Sequence, residues 1–255
     1  MPHQETINAI ASVLAPARRV LFITGAGISA DSGLPTYRGV GGLYNDADTD
    51  EGIPIETALS GGMFRVRPDI TWTHLSHIEE NCRGAQPNAA HRAIAELEQL
   101  GKDVLVFTQN VDGLHKLAGS SAVLEIHGNI HHLYCTACDY EEIVPDLANH
   151  DIPPACPECG GLMRPNVILF DEALPQDVLE RFWDEVEEGF DLVVVIGTSG
   201  AFPYILEPFK WFSQIGVPTV EINPLESRMS PYARIHLPLG AAAGMQGVME
   251  ALVGF

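Results

Sequence analysis

The chain has 255 residues, of which 46% are hydrophobic and 19% are charged, a composition typical of a globular protein rather than a disordered one. Its 34 acidic and 14 basic residues give a net charge of −20, which argues against a nucleic-acid-binding protein because such proteins need a basic surface. An acidic protein attracts basic partners such as lysine-rich segments. The simpler explanation of the negative charge is that it keeps the protein soluble. No apolar run approaches the length of a membrane span, so we expect a cytoplasmic protein without membrane contact.

Six short apolar runs predict buried parallel strands, because they are rich in Val, Ile and Leu and lack polar alternation. Helical patterns lie among them. The strand runs are Val20–Thr24, Val104–Thr108, Ala122–Ile126, Leu192–Ile196, Thr219–Ile222 and Arg234–Leu237. The helical runs are Ala89–Leu100 after the N-cap candidate Asn88, then Gln176–Glu188 and Met245–Val253. The alternation predicts an α/β fold with a Rossmann-like, doubly wound parallel sheet.

Two stretches interrupt this alternation. Residues 36–85 contain no convincing strand, and residues 128–166 contain four of the five cysteines. We expect 36–85 to form a cofactor loop with a helical insert and 128–166 to form a zinc-ribbon insert, which together make a smaller lobe. The Rossmann-like, nucleotide-binding domain then comprises residues 1–35, 86–127 and 167–255.

Polar residues and glycines follow five of the predicted strands. In an open parallel sheet these carboxyl ends lie along one edge, where ligands bind. Glycines there would let backbone N–H groups approach a pyrophosphate, and the amide and carboxylate side chains suit ribose hydroxyls and base edges. Any one cluster is also what a turn would show, but five in register predict a nucleotide site. The clusters are Thr24–Ser29, Thr108–Asp112, His127–Asn129, Gly197–Ser199 and Asn223–Pro224.

The glycine motif after the first strand does not continue as a dehydrogenase fingerprint would. A hydride-transferring enzyme places an acidic residue about 20 positions later, at the end of a second strand. Asn45, Asp46 and Asp48 lie at that distance, but no strand precedes them. Tyr37 and Arg38 precede them instead, and we expect this segment to fold over the nucleotide. The dinucleotide is therefore predicted to be consumed rather than to carry hydride.

Two Cys-x-x-Cys pairs predict a metal site. Cys135 and Cys138 are followed, after seventeen residues, by Cys156 and Cys159. Two such pairs complete a tetrahedral shell of four thiolates around zinc, and a closed shell leaves no position for a catalytic water. The zinc is therefore expected to be structural, with a redox role for either pair as the competing interpretation. The fifth cysteine, Cys82, is interpreted as a small buried hydrophobe.

His127 is the candidate catalytic histidine, because it lies between a predicted strand and Gly128 at the same sheet edge. A histidine there could act as a general base near neutral pH, or it could simply be hydrogen-bonded at a strand end. His91 and His115 fall within helical patterns and are interpreted as packing or surface residues.

The segments GAGISADSGLPTYRG, TQNVDGLH, LEIHGN, the two Cys-x-x-Cys pairs, IGTS and INP, in this order, resemble the sirtuins. The resemblance extends from about Val20 to about Gly240. Sirtuins are NAD-dependent protein lysine deacylases, in which NAD is a co-substrate. The resemblance therefore implies acylated lysine side chains as substrates, release of nicotinamide and transfer of the acyl group to ADP-ribose.

The resemblance also implies roles for individual residues. His127 would be the general base and, with Asn110 and Asp112, would form the catalytic set. The acyl-lysine would lie along residues 167–170 and Gly200. The cofactor-binding residues implied are Gly25, Ala26, Gly27, Ser29, Tyr37, Arg38, Gln109, Asn110, Asp112, Gly197, Thr198, Ser199, Asn223 and Ala241. The substrate-binding residues implied are Val167, Ile168, Leu169, Phe170 and Gly200.

The chain departs from the family pattern on the substrate side. The desuccinylating subgroup has a Tyr-x-x-Arg pair to hold an acidic acyl chain, and residues 72–78 contain no such pair. Unless Arg65 or Arg67 substitutes, uncharged acyl groups are favoured, acetyl first. Asp171 stands where the family usually has glycine, and the proline after the Gly-Thr-Ser loop is displaced to Pro203.

Four alternatives stay open at this level. An ADP-ribosyltransferase would use the same NAD site and pass ADP-ribose to a protein side chain. A non-catalytic NAD sensor would use the zinc lobe to bind a partner. A deacylase that prefers other acyl chains is the third, and a dehydrogenase is the least favoured.

Overall fold

A computed structural model of the protein describes residues 3–36 and 52–254. Within these residues the strands are β1 (Arg19–Thr24), β2 (Asp103–Thr108), β3 (Val123–Glu125), β4 (Gly128–Cys135), β5 (Glu141–Ile143), β6 (Met163–Val167), β7 (Leu192–Ile196), β8 (Thr219–Ile222) and β9 (Ile235–Leu237). The helices are α1 (Gln4–Leu14), α2 (Ile55–Ala58), α3 (Gly61–Val66), α4 (Pro68–Cys82), α5 (Ala89–Gln99), α6 (Leu114–Ala118), α7 (Gln176–Glu188), α8 (Pro203–Gln214) and α9 (Ala241–Leu252).

The larger sheet has the order β3-β2-β1-β7-β8-β9, and every pairing found in the described residues is parallel. The chain moves outward from β1 to β3 on one side, then returns to the centre and moves outward from β7 to β9 on the other. The strand order therefore reverses between β1 and β7, and ligands bind at such a switch point in doubly wound sheets. This arrangement confirms the predicted fold class.

Successive residues of the central strands enter two different apolar layers. Val20 and Phe22 pack with α1, α5 and α9 on one face of the sheet, whereas Leu21 and Ile23 pack with α7 and α8 on the other. All four side chains are fully buried. Because side chains alternate between the faces of a strand, burial on both faces requires the continuous apolar runs seen in the sequence.

The smaller lobe combines both interruptions of the α/β alternation. The strands β5-β4-β6 form an antiparallel sheet, and helices α2, α3 and α4 pack against it. Trp72 of α4 is fully buried there, and its indole N–H donates to the carbonyl of Met163 at 3.0 Å. The two inserts therefore share one hydrophobic cluster, as the sequence predicted.

Element ends differ from the sequence predictions by a few residues. The third strand ends at Glu125, so Ile126 lies outside it, and the last helix begins at Ala241 rather than at Met245. The early start of α9 follows from Asp31, whose carboxylate accepts the backbone N–H of Ala242 at 2.9 Å from a distant part of the chain. Over the described residues, no helix is both long enough and apolar enough to span a bilayer.

Candidate active site

The carboxyl ends of β1 and β7 are in direct backbone contact. The N–H of Gly25 donates to the carbonyl of Ile196 at 3.1 Å, and the N–H of Gly27 donates to that of Gly197 at 2.9 Å. A Cβ atom on Gly27 would lie 2.6 Å from the Cα of Gly197, closer than real Cβ contacts allow. Gly197 has φ +62°, in the left-handed region. These glycines are therefore required for the loops to meet at the switch point.

Ser29, Asn110 and Asp112 form a buried polar group beside the glycine loop. The Ser29 hydroxyl donates to Asp112 at 2.7 Å, and the Asn110 side-chain amide donates to the Ser29 oxygen at 3.1 Å. Burial raises the pKa of Asp112, opposed by hydrogen bonds from Leu114 N–H and Ser29. Within residues 3–36 and 52–254, the buried Oδ1 of Asn110 has no hydrogen-bond partner. An unpaired buried acceptor beside a glycine loop suits a ligand that donates hydrogen bonds, such as a nucleotide.

A second row of polar groups extends along the β7 and β8 ends. The Gln109 amide donates to the Thr198 hydroxyl at 2.9 Å, and the Asn223 amide donates to the Thr198 carbonyl at 3.1 Å. The N–H of Arg228 donates to the carbonyl of Ser199 at 3.2 Å. This row continues away from the glycine loop in the direction of β9. Ala241, the buried first residue of α9, lies between Gly240 and Ala242, which are both close to the Asp31 carboxylate.

His127 follows β3 and lies at the same edge. Its Nδ1 is 2.9 Å from the carbonyl oxygen of Gln109, and because a carbonyl only accepts, Nδ1 carries the proton. The neutral ring then has its lone pair on Nε2, which accepts a hydrogen bond from the Tyr204 hydroxyl at 2.7 Å. Burial lowers the pKa of His127, with a smaller opposing effect of the Gln109 hydrogen bond. The ring is therefore neutral, with one basic nitrogen, at physiological pH.

The segment after β6 runs from His127 to the helical insert. The N–H of Ile168 donates to the carbonyl of His127 at 3.0 Å, and the N–H of Phe170 donates to the carbonyl of Leu59 at 2.9 Å. On the other side of His127, the ring of Phe202 meets the imidazole edge-on at 6.0 Å. Residues 167–170 and 200–202 thus form two walls with His127 between them.

The four predicted metal ligands meet in the smaller lobe. Their sulfur atoms all lie within 4.8 Å of one another, with Cys135 and Cys159 3.5 Å apart and Cys138 and Cys156 3.7 Å apart. A tetrahedron with zinc–sulfur bonds of about 2.3 Å places neighbouring sulfurs about 3.8 Å apart. The thiolates therefore fit one zinc ion with no open coordination position. Two free-standing redox pairs would not bring all four sulfurs together.

The comparisons with known proteins agree with this geometry. The model of the Sir2 family matches residues 25–202. The chain is 48% identical over 229 residues to NAD-dependent protein deacylase 2 of Pseudomonas aeruginosa, and this match covers 88% of each chain. The chain belongs to the Sir2 family.

Solved structures of Sir2 proteins support the same membership. A Sir2 homologue in complex with NAD is 36% identical at a TM-score of 0.84, covering 96% of this chain and 94% of that one. A Sir2 protein solved with a deacetylated p53 peptide and 3′-O-acetyl ADP ribose is 30% identical at a TM-score of 0.83, covering 98% of both. The likeness therefore includes the fold across nearly the whole chain.

Relative to the family pattern, Asp171 replaces a glycine in a strained position. Its φ of +66° lies in the left-handed region, which Asp tolerates better than most residues. Its carboxylate accepts the N–H groups of Gly61 and Gly62 at 2.9 and 3.2 Å, at the start of α3. The Asp171 carboxylate thus ties the segment after β6 to the helical insert of this Sir2 chain.

The structure groups most of the implied site residues of this Sir2 chain, and it also shows features that sequence reasoning missed. Tyr37 and Arg38 lie outside the described residues. His91 and His115 are buried, so of the two interpretations the packing one is confirmed; their rings meet at 4.9 Å, and the Thr24 hydroxyl is 2.9 Å from His115 Nε2. Burial lowers the pKa of His91 to about 4 and that of His115 to about 3.

Two further contacts had no sequence signal. Arg164 donates two hydrogen bonds to Glu172, at 2.8 and 3.0 Å, and thereby holds in place the segment that follows residues 167–170. Tyr204 contacts His127 from 77 residues away. Neither pair has a motif, because each depends on where two distant elements meet.

Proposed function

We propose that this Sir2 chain is an NAD-dependent protein lysine deacylase, acting most readily on acetyl groups. It transfers the acyl group to ADP-ribose and releases nicotinamide. The observation that carries the proposal is the placement of neutral His127, with its basic Nε2, between residues 167–170 and Phe202 and next to Gln109 at the end of β2. The deacylase names of the relatives support it.

The nucleotide is assigned to the edge where the glycines meet. Gly25, Ala26 and Gly27 are proposed to lie against the pyrophosphate, and Tyr37 and Arg38 are proposed to contribute to binding the pyrophosphate and nicotinamide region. Thr198, Asn223 and their neighbours along the β7 and β8 ends are proposed to hold the adenosine half. The complete set proposed for the cofactor is Gly25, Ala26, Gly27, Ser29, Tyr37, Arg38, Gln109, Asn110, Asp112, Gly197, Thr198, Ser199, Asn223 and Ala241.

Asn110 and Asp112 are proposed to bind the nicotinamide ribose and the nicotinamide pocket. Asn110 offers an acceptor that has no partner among the described residues, and the Asp112 carboxylate is buried. Breaking the glycosidic bond develops positive charge on the ribose, which fixed acceptors in a water-excluded site stabilise. These residues therefore favour the step that precedes any action of His127.

His127 is proposed to be the general base. The amide oxygen of the acyl-lysine attacks the ribose carbon that loses nicotinamide, which forms an imidate. A ribose hydroxyl then attacks the imidate, and His127 Nε2 takes the proton of that hydroxyl. The Gln109 carbonyl fixes the tautomer that leaves Nε2 unprotonated. Because burial lowers its pKa, the imidazole is in its basic form at neutral pH.

The acyl-lysine is assigned to the space between residues 167–170 and Gly200. Arg67, a candidate partner for an acidic acyl chain, makes hydrogen bonds to Asp69 at 2.6 to 3.3 Å. Residues 72–78 lie on α4 and carry no Tyr-x-x-Arg pair. Uncharged acyl groups are therefore favoured. The net charge of −20 favours basic peptide segments around the modified lysine.

The four thiolates are proposed to hold a structural zinc ion. Two of the four sulfurs accept backbone N–H groups at 3.3 Å, Cys135 from Ala137 and Cys159 from Gly161, as thiolates held in zinc knuckles do. The ion would fix β4 and β6, which lead to and from the segment beside His127. The cytoplasmic location and the absence of nucleic-acid partners stay predictions from the sequence.

The test is to incubate the full chain with NAD and peptides that carry acetyl-, longer-chain acyl- or succinyl-lysine. We expect equimolar release of nicotinamide and loss of the acyl mass from the acetyl peptide. For the succinyl peptide, kcat/KM should be at least tenfold lower, the size of one missing charged hydrogen bond. An unmodified lysine peptide is the matched control.

Other outcomes separate the alternatives. A gain of ADP-ribose mass on the peptide would identify an ADP-ribosyltransferase instead. NAD binding without release of nicotinamide on any peptide would identify a non-catalytic sensor. Faster removal of succinyl than of acetyl would contradict the proposed acyl preference but not the deacylase reaction.

A further inference from the structure

The basic nitrogen of His127 is already occupied. Nδ1 donates to the Gln109 carbonyl, so Nε2 holds the single lone pair of the ring, and the hydroxyl of Tyr204 lies 2.7 Å from it. A single lone pair accepts only one hydrogen bond at this distance. The phenol and a ribose hydroxyl therefore cannot both occupy Nε2.

The displaced proline explains why a tyrosine reaches this point. Pro203 is the first residue of α8, where its fixed φ and missing N–H suit a helix start. The next residue, Tyr204, therefore lies in the first turn of α8, the helix that follows β7 in the chain. A helix that began elsewhere would direct a different side chain at His127.

Aromatic packing keeps the Tyr204 ring in place. The Phe202 ring stacks on that of Tyr204 at 5.4 Å with an angle of 14° between the ring planes. Both rings meet the His127 imidazole edge-on, at 6.0 and 6.1 Å. Burial raises the pKa of Tyr204 to about 12, so the phenol keeps its proton and acts as a donor to Nε2 at all physiological pH values.

We propose that Tyr204 is a positioning residue that latches His127 through Nε2 and must be displaced by the ribose hydroxyl before the histidine can act as a base. The proposal rests on the proposed role of His127. Before the ribose binds, the hydroxyl of Tyr204 occupies the place of the ribose hydroxyl and holds the imidazole in the orientation that it needs as a base. Binding exchanges the Tyr204 hydrogen bond for that of the ribose hydroxyl, so the new bond is offset by the one that is lost and adds little net binding free energy.

The first test measures affinity for ADP-ribose by calorimetry in a double-mutant cycle of Tyr204→Phe and His127→Ala. Tyr204→Phe keeps the ring stack and removes only the hydroxyl. We expect it to tighten binding two- to tenfold, the size of one net hydrogen bond. In the His127→Ala background, the same change should have no effect, because the latch has lost its partner. Equal effects in both backgrounds, or weaker binding of Tyr204→Phe, would overturn the proposal.

The second test separates a latch from a proton relay through the phenol. For a latch, Tyr204→Phe lowers KM for NAD and keeps at least half of kcat in deacylation of an acetyl-lysine peptide. A relay would instead lower kcat tenfold or more with KM unchanged, and this result would overturn the latch. Tyr232→Phe is the matched control, because Tyr232 packs beside α8 with its ring near Lys210 and should change neither parameter.

Failure of the latch and failure of the proposed function give different results. Absence of deacylation in the unaltered protein, with the expected coupling in the ADP-ribose cycle, would reject the function and leave the latch in place. Normal deacylation with no coupling between positions 127 and 204 would reject the latch alone. Urea unfolding of each variant checks that its fold is intact.

Discussion

The nucleotide edge of the large sheet and the zinc lobe are built in different ways. At the sheet edge, backbone hydrogen bonds join Gly25 and Gly27 to the end of β7, and the strands behind them are fully buried. In the zinc lobe, the sheet has three antiparallel strands, and four cysteines converge on one point. The first region gets its shape from apolar burial and close glycine packing. The second has a hydrophobic cluster of its own, to which the four converging cysteines and the Arg164–Glu172 ion pair are added.

In the proposed function, the sheet edge binds the cofactor and the wall formed by residues 167–170 binds the acyl-lysine. The wall formed by residues 167–170 is attached to His127 at one end and to the small lobe at the other. Damage to the zinc lobe should therefore disturb peptide binding before it disturbs nucleotide binding. The four changes below test this division, beginning with the largest expected effect.

Removal of zinc should have the largest effect. Structural zinc contributes about 10 to 16 kcal/mol of binding free energy in small zinc peptides. We expect chelation, or Cys138→Ser, to unfold β4 and β6 while β1 and β2 keep their protection, as measured by amide hydrogen exchange. Cys82→Ala, which alters the cysteine outside the cluster, is the control and should keep its zinc. Equal protection of β4 with and without metal would contradict the structural role.

Gly197→Ala should destabilise the sheet edge by about 4 kcal/mol. A Cβ there would lie 2.4 Å from the backbone carbon of Gly27, and φ is +62°. The estimate adds the free energies of overpacking and of left-handed strain. Gly216→Ala has a positive φ but open space around it, so it should lower the free energy of unfolding by only about 1 kcal/mol. Urea unfolding measures both, and equal losses would contradict the close packing.

Arg164→Met should lower the free energy of unfolding by about 3 kcal/mol, because it leaves the Glu172 carboxylate without its partner in a largely buried place. The Arg164 side chain is 9% exposed and that of Glu172 is 22% exposed. Arg67→Met breaks a comparable pair with Asp69, but both side chains are more than half exposed, so we expect at most about 1 kcal/mol. A loss from Arg164→Met no larger than that from Arg67→Met would show that burial does not strengthen the pair.

His115→Gln should change the pH dependence of stability by the smallest amount. The folded pKa of His115 is lowered to about 3 by burial, below the usual value of 6.5, so its contribution is complete above pH 6.5 and is lost as pH falls below it. The loss is about 1.4 kcal/mol per pH unit. Between pH 7.5 and 5.5 the unaltered protein should therefore lose about 1.4 kcal/mol more than the variant in urea unfolding.

Glutamine places a polar group where His115 Nε2 lies in the unaltered protein, near the Thr24 hydroxyl, so the variant should fold. His77→Gln, at an exposed position on α4, serves as the matched control. If His115→Gln and the unaltered protein lost stability in parallel as the pH fell, His115 would not be buried in the neutral form.

The sequence predicted the features that depend on local patterns. The six strands of the large sheet were identifiable from continuous apolar runs, which burial on both faces requires of central strands such as β1 and β7. The metal site was identifiable because its ligands occur in two Cys-x-x-Cys pairs. The start of α9 was missed, because its first turn is Ala-Ala-Ala-Gly and its cap, Asp31, lies 211 positions away. The contacts of His127 with Tyr204 and of Arg164 with Glu172 arise only when separate elements pack, so no local pattern could reveal them.

The most direct measurement of the central claim is made on His127→Ala, with a labelled nicotinamide and an acetyl-lysine peptide. Because His127 is proposed to act after the glycosidic bond breaks, exchange of labelled nicotinamide into NAD should persist. Deacylation should fall at least 100-fold, the smallest effect usual for loss of a general base. Deacylation within tenfold of the unaltered protein, in a variant that still binds ADP-ribose, would contradict the account.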